Sequence, residues 1–422
     1  MSLYNRNKHV AIVGAGYAGL PCAFKLGQLL KHFHGHPASI TLINTDPRQE
    51  LSSELYRVLR NGKGEFYNFL PPLKKLGVRF VEGQVSAIRP NEKTLSIRGE
   101  IHQELKYDEL VIASGFKGKV PPLEGLEAFL DAKANEQKNV FLFRNNVQAQ
   151  QLRLALKRLG WSSETRFPKD VFVVILGAGV TGLEVAGELA HLRGSNSRAR
   201  LVVVDQKTEL LQSFSPIAKK ILKKELARMR IETVLGSPAI RLNQRRELEI
   251  ENGQVIPCDL LVVCTGGRPS TKILENFSDA ASPMGLKVKG NLQIEGYPDH
   301  YAIGDIAHVQ GAPLALGNRQ MLLKTAQFAI QEGNFVAEHL FDKIIGNVPQ
   351  SRRRFEATDL GFLVSLGPFN GFGRIGPEVS STLGKFLSPF VVGPLIDTLK
   401  RGAKMRYLSS LKWDEVRARL PF

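Results

Sequence analysis

Three glycines near the start of the chain, Gly14, Gly16 and Gly19, constrain its fold more than any other feature. Val10 to Val13 precede them as a short apolar run, the pattern of a parallel strand buried on both faces. Leu20 to Leu30 then reads as a helix. At this spacing Gly14 permits the tight turn, Gly16 lets the backbone approach a pyrophosphate, and Gly19 lets helix and strand pack closely. An anion held there sits on the unpaired N–H groups and positive end of the helix. Such glycine turns arise by chance. The strand before, the helix after and the N-terminal position together make this one a dinucleotide site.

The pattern returns 163 residues later. Val171 to Leu176 is a second apolar strand, Gly177, Gly179 and Gly182 repeat the spacing, and Leu183 to His191 reads as the helix. Each unit continues into a second strand, Ser39–Asn44 and Arg200–Asp205. These strands end where an acid usually meets the ribose. In the second unit Asp205 accepts hydrogen bonds from the ribose and repels a 2′-phosphate, favouring NADH over NADPH, with Lys207 weakening that preference. In the first unit the position is Asn44, which can still bond a hydroxyl. Asp46 competes for the role, although a plain surface loop would look the same. Glu54 to Arg60 reads as a short helix and Val78 to Leu95 as a hairpin. Both units close on a buried strand ending in small residues, Tyr107–Gly115 with Ala113 and Gly115, and Cys258–Gly267 with Gly266. A last strand, Tyr301 to Asp305, ends in Gly-Asp. Two dinucleotide sites in one chain point to electron exchange between them.

A length of 422 residues implies two or three domains. The fold class is α/β, with two Rossmann-like dinucleotide-binding domains plus a C-terminal membrane-associating region. No run of 18 apolar residues exists, and Met1 to Lys8 leads straight into a strand, so neither a spanning helix nor a signal peptide is expected. The chain carries 57 Lys and Arg against 40 Asp and Glu, a net charge of +17. That surplus asks for an anionic partner. No nucleic-acid module stands out, so nucleic acid is not expected. Cys22 reads as a buried structural thiol. Cys258 and Cys264 flank an extended run that places them about 20 Å apart at roughly 3.3 Å per residue, beyond disulfide reach. No metal-binding cluster, catalytic triad or dithiol relay is expected.

The two glycine fingerprints, Thr265-Gly-Gly267 and Ala302-Ile-Gly-Asp305 together resemble the two-dinucleotide flavoprotein reductases. That resemblance implies that the first fingerprint holds FAD and the second NADH, with Asp305 on the FAD ribitol or pyrophosphate region. Lys324-Thr-Ala-Gln-Phe-Ala-Ile-Gln331 is similar to the A-Q-x-A-x-Q segment of type II NADH:quinone oxidoreductases. It carries over Ala326, Gln327, Ala329 and Gln331 as quinone-site residues, with Ala326 and Gln327 also at the flavin. Ile40–Asn44 with Glu54-Leu-Tyr-Arg57 resembles the same family, adding Asn44 and Arg57 to the flavin residues. Glu184 matches a glutamate close to nicotinamide, and Lys404–Leu408 resembles the family's closing segment. One stretch departs from the pattern: Leu322-Leu-Lys-Thr325 stands where many members carry prolines. From residue types alone, Gln327 and Gln331 could be an exposed polar stripe. Glu184, in the first helical turn, could be there for the helix dipole.

The domain reading places an FAD-binding domain at 1–118 and 285–350, an NADH-binding domain at 119–284, and a membrane-anchoring or dimerisation region at 351–422. In that last region Leu383, Phe386, Leu387, Phe390, Val391, Leu395 and Leu399 recur at helical steps, broken by Pro389 and Pro394. Lys400, Arg401, Lys404, Arg406 and Lys412 follow. An apolar face with flanking cations suits a lipid interface, each cation contributing about 1 kcal/mol near anionic lipid. Docking on the body or on a partner copy would leave the same pattern. The expected protein is a homodimeric, peripheral enzyme on the cytoplasmic side of the inner membrane. It would pass electrons from NADH through FAD to a membrane quinone without pumping protons, with Glu184, Gln327 and Gln331 as its catalytic residues. A soluble flavin reductase serving a protein acceptor is the rival reading, as is a sulfide:quinone oxidoreductase, which the cysteine spacing disfavours.

Overall fold

The computed structural model describes residues 7–33, 37–100, 102–118, 120–130, 139–212, 214–309, 324–347, 353–376, 390–393 and 395–411. Four strands open the first sheet: β1 (Lys8–Val13), β2 (Ala38–Asn44), β3 (Arg79–Glu82) and β4 (Glu109–Ile112). They lie in the order β3-β2-β1-β4, all parallel, and the distant strand His300–Ala302 completes the β4 edge. The second sheet uses β5 (Val140–Leu142), β6 (Val171–Leu176), β7 (Ala199–Asp205), β8 (Glu232–Leu235) and β9 (Leu260–Val263). Its order is β8-β7-β6-β9-β5, again all parallel. In both sheets the order reverses beside the glycine turn, the switch point where open α/β sheets bind ligands.

Helices cover these sheets and supply much of the core. They are α1 (Gly19–Lys31), α2 (Arg57–Asn61), α3 (Asn146–Leu159), α4 (Val180–Arg193), α5 (Ala326–Ile344) and α6 (Leu395–Ser410). α1 and α5 pack closely because Gly333 has no side chain: a Cβ there would lie 2.2 Å from the Ala18 carbonyl oxygen. Behind the glycine turns the buried strands are purely apolar, Val10 to Ile12 in one unit and Val173 to Ile175 in the other.

Three local expectations change. Residues 78–95 do not form one hairpin. Arg79–Glu82 joins the parallel sheet opposite Thr41–Asn44, and the hairpin is Gln84–Arg89 with Thr94–Arg98. Phe390–Val392 is not helical but pairs as a third strand with Gly371–Ile375, so the helix begins only after Pro394. Leu383, Phe386 and Leu387 lie outside the described residues, as do Lys412 and the two prolines. Finally, α4 starts at Val180, which puts Glu184 in the second turn.

Candidate dinucleotide and electron-transfer site

Packing explains two of the three glycines in each turn, and open space explains the third. Gly14 has φ +104°, and a Cβ on it would lie 2.4 Å from the Ala113 carbonyl oxygen. A Cβ on Gly19 would lie 1.9 Å from the Gly14 carbonyl oxygen, whereas one on Gly16 would meet nothing within 4 Å. The second turn repeats this arrangement. Gly177 has φ +109° and faces the Cys264 carbonyl oxygen at 2.7 Å, Gly182 faces Gly177 at 1.9 Å, and Gly179 faces open space. The middle glycine thus leaves main chain uncovered at a helix start, which is the cradle a pyrophosphate fits. Both cradles suit a dinucleotide.

The ends of the second strands brace these loops. Asn44 Oδ1 accepts the Ala15 N–H at 3.2 Å and its Nδ2 donates to the Asp46 carbonyl at 2.9 Å. Asp205 Oδ2 accepts the Ala178 N–H at 2.7 Å and Oδ1 accepts that of Lys207 at 2.9 Å. Asp46 is held by Arg48, whose guanidinium and N–H keep its carboxyl below the ordinary range. Gly115 and Gly266 both have positive φ and open space beside them. The chain beyond them, Lys117–Gly118 and Gly267–Arg268, pairs antiparallel and ties the two units together. Arg57 is buried against Glu54, 2.7 Å away, and donates to the Tyr56 hydroxyl.

Asp305 sits in the turn after His300–Ala302. Gly304, with φ +71°, brings that turn against the first cradle, where a Cβ would lie 3.0 Å from the Ala18 Cβ. A pocket of about 150 Å³ opens there, lined by Gly304, Asp305, Lys324, Thr325, Phe328 and Glu332, with Ala329 behind them. Burial pushes the Asp305 carboxyl up, against the pull of Lys324. Glu332 accepts the Gly304 N–H at 2.5 Å, and burial pushes it up to about 8. Lys324 donates to the Ala307 carbonyl and lies 5.6 Å from the centroid of the Phe116 ring. Sequence reasoning missed Glu332. Its signal was an acid on the apolar face of α5, one turn after Phe328.

Ala326 opens α5. The two glutamines that follow bracket the segment before the C-terminal hairpin. Gln327 accepts the Leu360 N–H at 3.1 Å and donates to the Gly361 carbonyl at 3.0 Å. Gln331 accepts the Thr358 N–H at 2.8 Å and donates to its carbonyl at 2.9 Å. Glu184 is buried, accepts the Ser365 N–H at 3.4 Å and forms an ion pair with Lys400 of α6. Burial alone would lower the Lys400 ammonium. Glu184 opposite and the Tyr56 ring, 4.4 Å from Nζ, hold it above its ordinary value. Lys400 was legible only as one of several C-terminal cations. Among the described residues no group of three His, Cys, Asp or Glu could hold a metal ion.

The model of the pyridine nucleotide-disulphide oxidoreductase family matches residues 8–333. A type II NADH:quinone oxidoreductase from Staphylococcus haemolyticus is 25% identical over 404 residues, covering 91% of this chain and 94% of that protein. The sulfide:quinone oxidoreductase of Aquifex aeolicus superposes with a TM-score of 0.74 at 16% identity, over 96% of this chain and 91% of that one. NDH2 from Plasmodium falciparum, solved with RYL-552, gives 0.71 at 16% identity, over 90% and 94%.

Proposed function

The chain belongs to the pyridine nucleotide-disulphide oxidoreductase family, and within it we propose that it is an FAD-dependent NADH:quinone oxidoreductase of the type II kind. The observation that carries this reading is the pair of open glycine cradles, one beside Asp305 and the other beside Asp205. Gly14, Gly16, Gly19, Asn44, Ala113, Gly115 and Asp305 would hold FAD, with Ala326 and Gln327 at its far end. Gly177, Gly179, Gly182, Asp205 and Gly266 would hold NADH. Bound FAD supplies the two-electron chemistry between NADH and the quinone. The protein's part is position and charge. Glu184, buried and paired with Lys400, orders the nicotinamide side. Gln327 and Gln331 shape the quinone side through their hold on Thr358, Leu360 and Gly361, with Ala326 and Ala329 as close-packed wall. Arg57 is buried with Glu54 and Tyr56 next to Lys400, so its part is to fix the segment between the cradles.

The protein works at a membrane face without pumping protons. No helix among the described residues is long and apolar enough to cross a membrane. Leu360, Phe369, Leu395 and Met405 are exposed on the C-terminal elements, and Arg401 and Arg406 are exposed on α6. Apolar side chains ringed by cations favour an anionic lipid surface. The sulfide:quinone alternative lacks a disulfide pair, because β9 separates Cys258 from Cys264 and Cys22 is buried on α1.

Steady-state NADH oxidation with a short-chain quinone and, separately, with ferricyanide tests the reading. Gln331→Ala is expected to slow quinone reduction several-fold and to spare ferricyanide reduction. Equal losses with both acceptors would remove the quinone assignment. Sedimentation with anionic vesicles, but not with neutral ones, is the outcome expected of the membrane face.

A further inference from the structure

Lys324 opens the described stretch that leads into α5. Its side chain lines the Asp305 pocket. Three elements of the first unit converge on it. Phe116, just past Gly115, places its ring 5.6 Å from Nζ, the Ala307 carbonyl accepts its hydrogen bond, and α5 begins two residues later. Asp305 and Glu332 are its carboxyl neighbours in the pocket, Asp305 on the turn that touches the first cradle at Ala18. A cation at the positive end of a 19-residue helix makes an electropositive spot.

We propose that Lys324 tunes the electrostatics of the flavin site, its ammonium stabilising the negative charge that builds on the cofactor as it is reduced. Glu332 is the positioning residue behind it, holding the Gly304 N–H and thereby the turn that carries Asp305. This rests on the flavin reading of the first cradle. It makes the reduction potential a property of Lys324 as well as of the glycine turn.

Glu332 adds a pH dependence. Burial pushes it up to about 8, so near neutral pH it is mostly uncharged and takes little from the charge of Lys324, which burial itself lowers and Asp305 supports. Above that it ionises and cancels part of the positive field. The other groups facing it are Asp305 from the turn, His308 from Ala307–Val309 and Cys22 of α1, packed behind Gly333. Burial lowers the His308 imidazole and raises the Cys22 thiol, moving both away from the Glu332 transition.

The test is the midpoint potential of the flavin-loaded protein, measured with redox dyes and needing neither NADH nor quinone. Lys324→Met is expected to weaken the preference for reduced flavin about tenfold, near 30 mV for a two-electron couple, while Lys324→Arg keeps the native value. Across pH 6 to 10, roughly two units either side of the Glu332 transition, the native potential should fall more steeply above pH 8, and Glu332→Gln should lack that bend. An unchanged potential in Lys324→Met overturns the proposal. If Lys324→Met fails to hold flavin, the bend decides: its persistence in Glu332→Gln overturns the proposal and its loss supports it. Failure of the quinone reading would show in turnover with a normal potential, so the two are separable.

Discussion

A Cβ carbon distinguishes the two jobs that glycine performs in each turn. Gly19 and Gly182 are needed for packing, since a methyl group on either would lie 1.9 Å from a carbonyl oxygen. Gly16 and Gly179 are not, because space beside them is open. Gly19→Ala and Gly182→Ala are therefore expected to cost more than about 4 kcal/mol and to lower thermal unfolding sharply. Gly16→Ala and Gly179→Ala should leave the unfolding of cofactor-free protein almost unchanged while weakening dinucleotide binding, which fluorescence titration would read. A large loss of stability in Gly16→Ala would contradict this division. All six glycines were legible in the sequence, because spacing and flanking strands carry the signal locally. Lys324, Glu332 and Lys400 were not, because what defines them is a neighbour far along the chain, as with Lys400 and Glu184, 216 residues apart.

At the scale of elements, the first two strands, the glycine-turn helix and the closing strand of each unit were readable from apolar runs and glycine turns, whereas Arg79–Glu82 reads as part of a hairpin and joins the sheet instead. The C-terminal third was harder. Phe390–Val392 has helical spacing but is captured by an existing strand edge, a tertiary preference that no local pattern reports. α6 then docks across both units. Lys400 meets Glu184, Lys404 meets Glu65, and the Tyr407 hydroxyl donates to Gln49 at 2.7 Å while its ring lies 5.2 Å from that of Tyr17. Because Tyr17 belongs to the first glycine loop and Glu184 to the helix of the second, α6 bears on both cradles. Removing one member of a buried ion pair strands the other. Lys400→Met should thus cost about 3 kcal/mol, measured by urea unfolding. Adding Glu184→Gln should recover part of that loss, whereas strictly additive losses would mean that the pair is not coupled.

Across the whole molecule, two similar units are held in one arrangement by a few cross-links. Glu50 of the first unit accepts the Asn146 N–H at the start of α3, Arg60 of α2 faces Glu188 of α4 at 3.6 Å, and the two closing loops pair as strands. At the opposite end of the first sheet, Lys343 joins Glu109 and Asp299, and Lys93 bonds Asp299 at 2.6 Å. These groups contribute to the pH dependence of stability. Burial pushes Glu109 up to about 7, outweighing Lys343. Its protonated form is favoured by folding, and that stability is present below about pH 4.5 and lost as pH rises through 7. Asp299 runs the other way. Burial opposes ionisation, but hydrogen bonds from Lys93 and Lys343 win and hold it at about 2, so its contribution is lost as pH falls from near 4 toward 2. Thermal unfolding across this range should show a decline on both sides, and Glu109→Gln should flatten the neutral limb alone.

The two cradles are proposed to hold an electron donor and its acceptor in one working unit. Anaerobic rapid mixing of the flavin-loaded protein with NADH tests it most directly, with a quinone added in a second step. NADH is expected to bleach the oxidised flavin absorbance within the time of a turnover, and the quinone to restore it. Asp205→Ala should raise the NADH concentration needed for the first step and leave the second unchanged. A flavin that NADH does not bleach, or a bleached flavin that quinone does not restore, would contradict it.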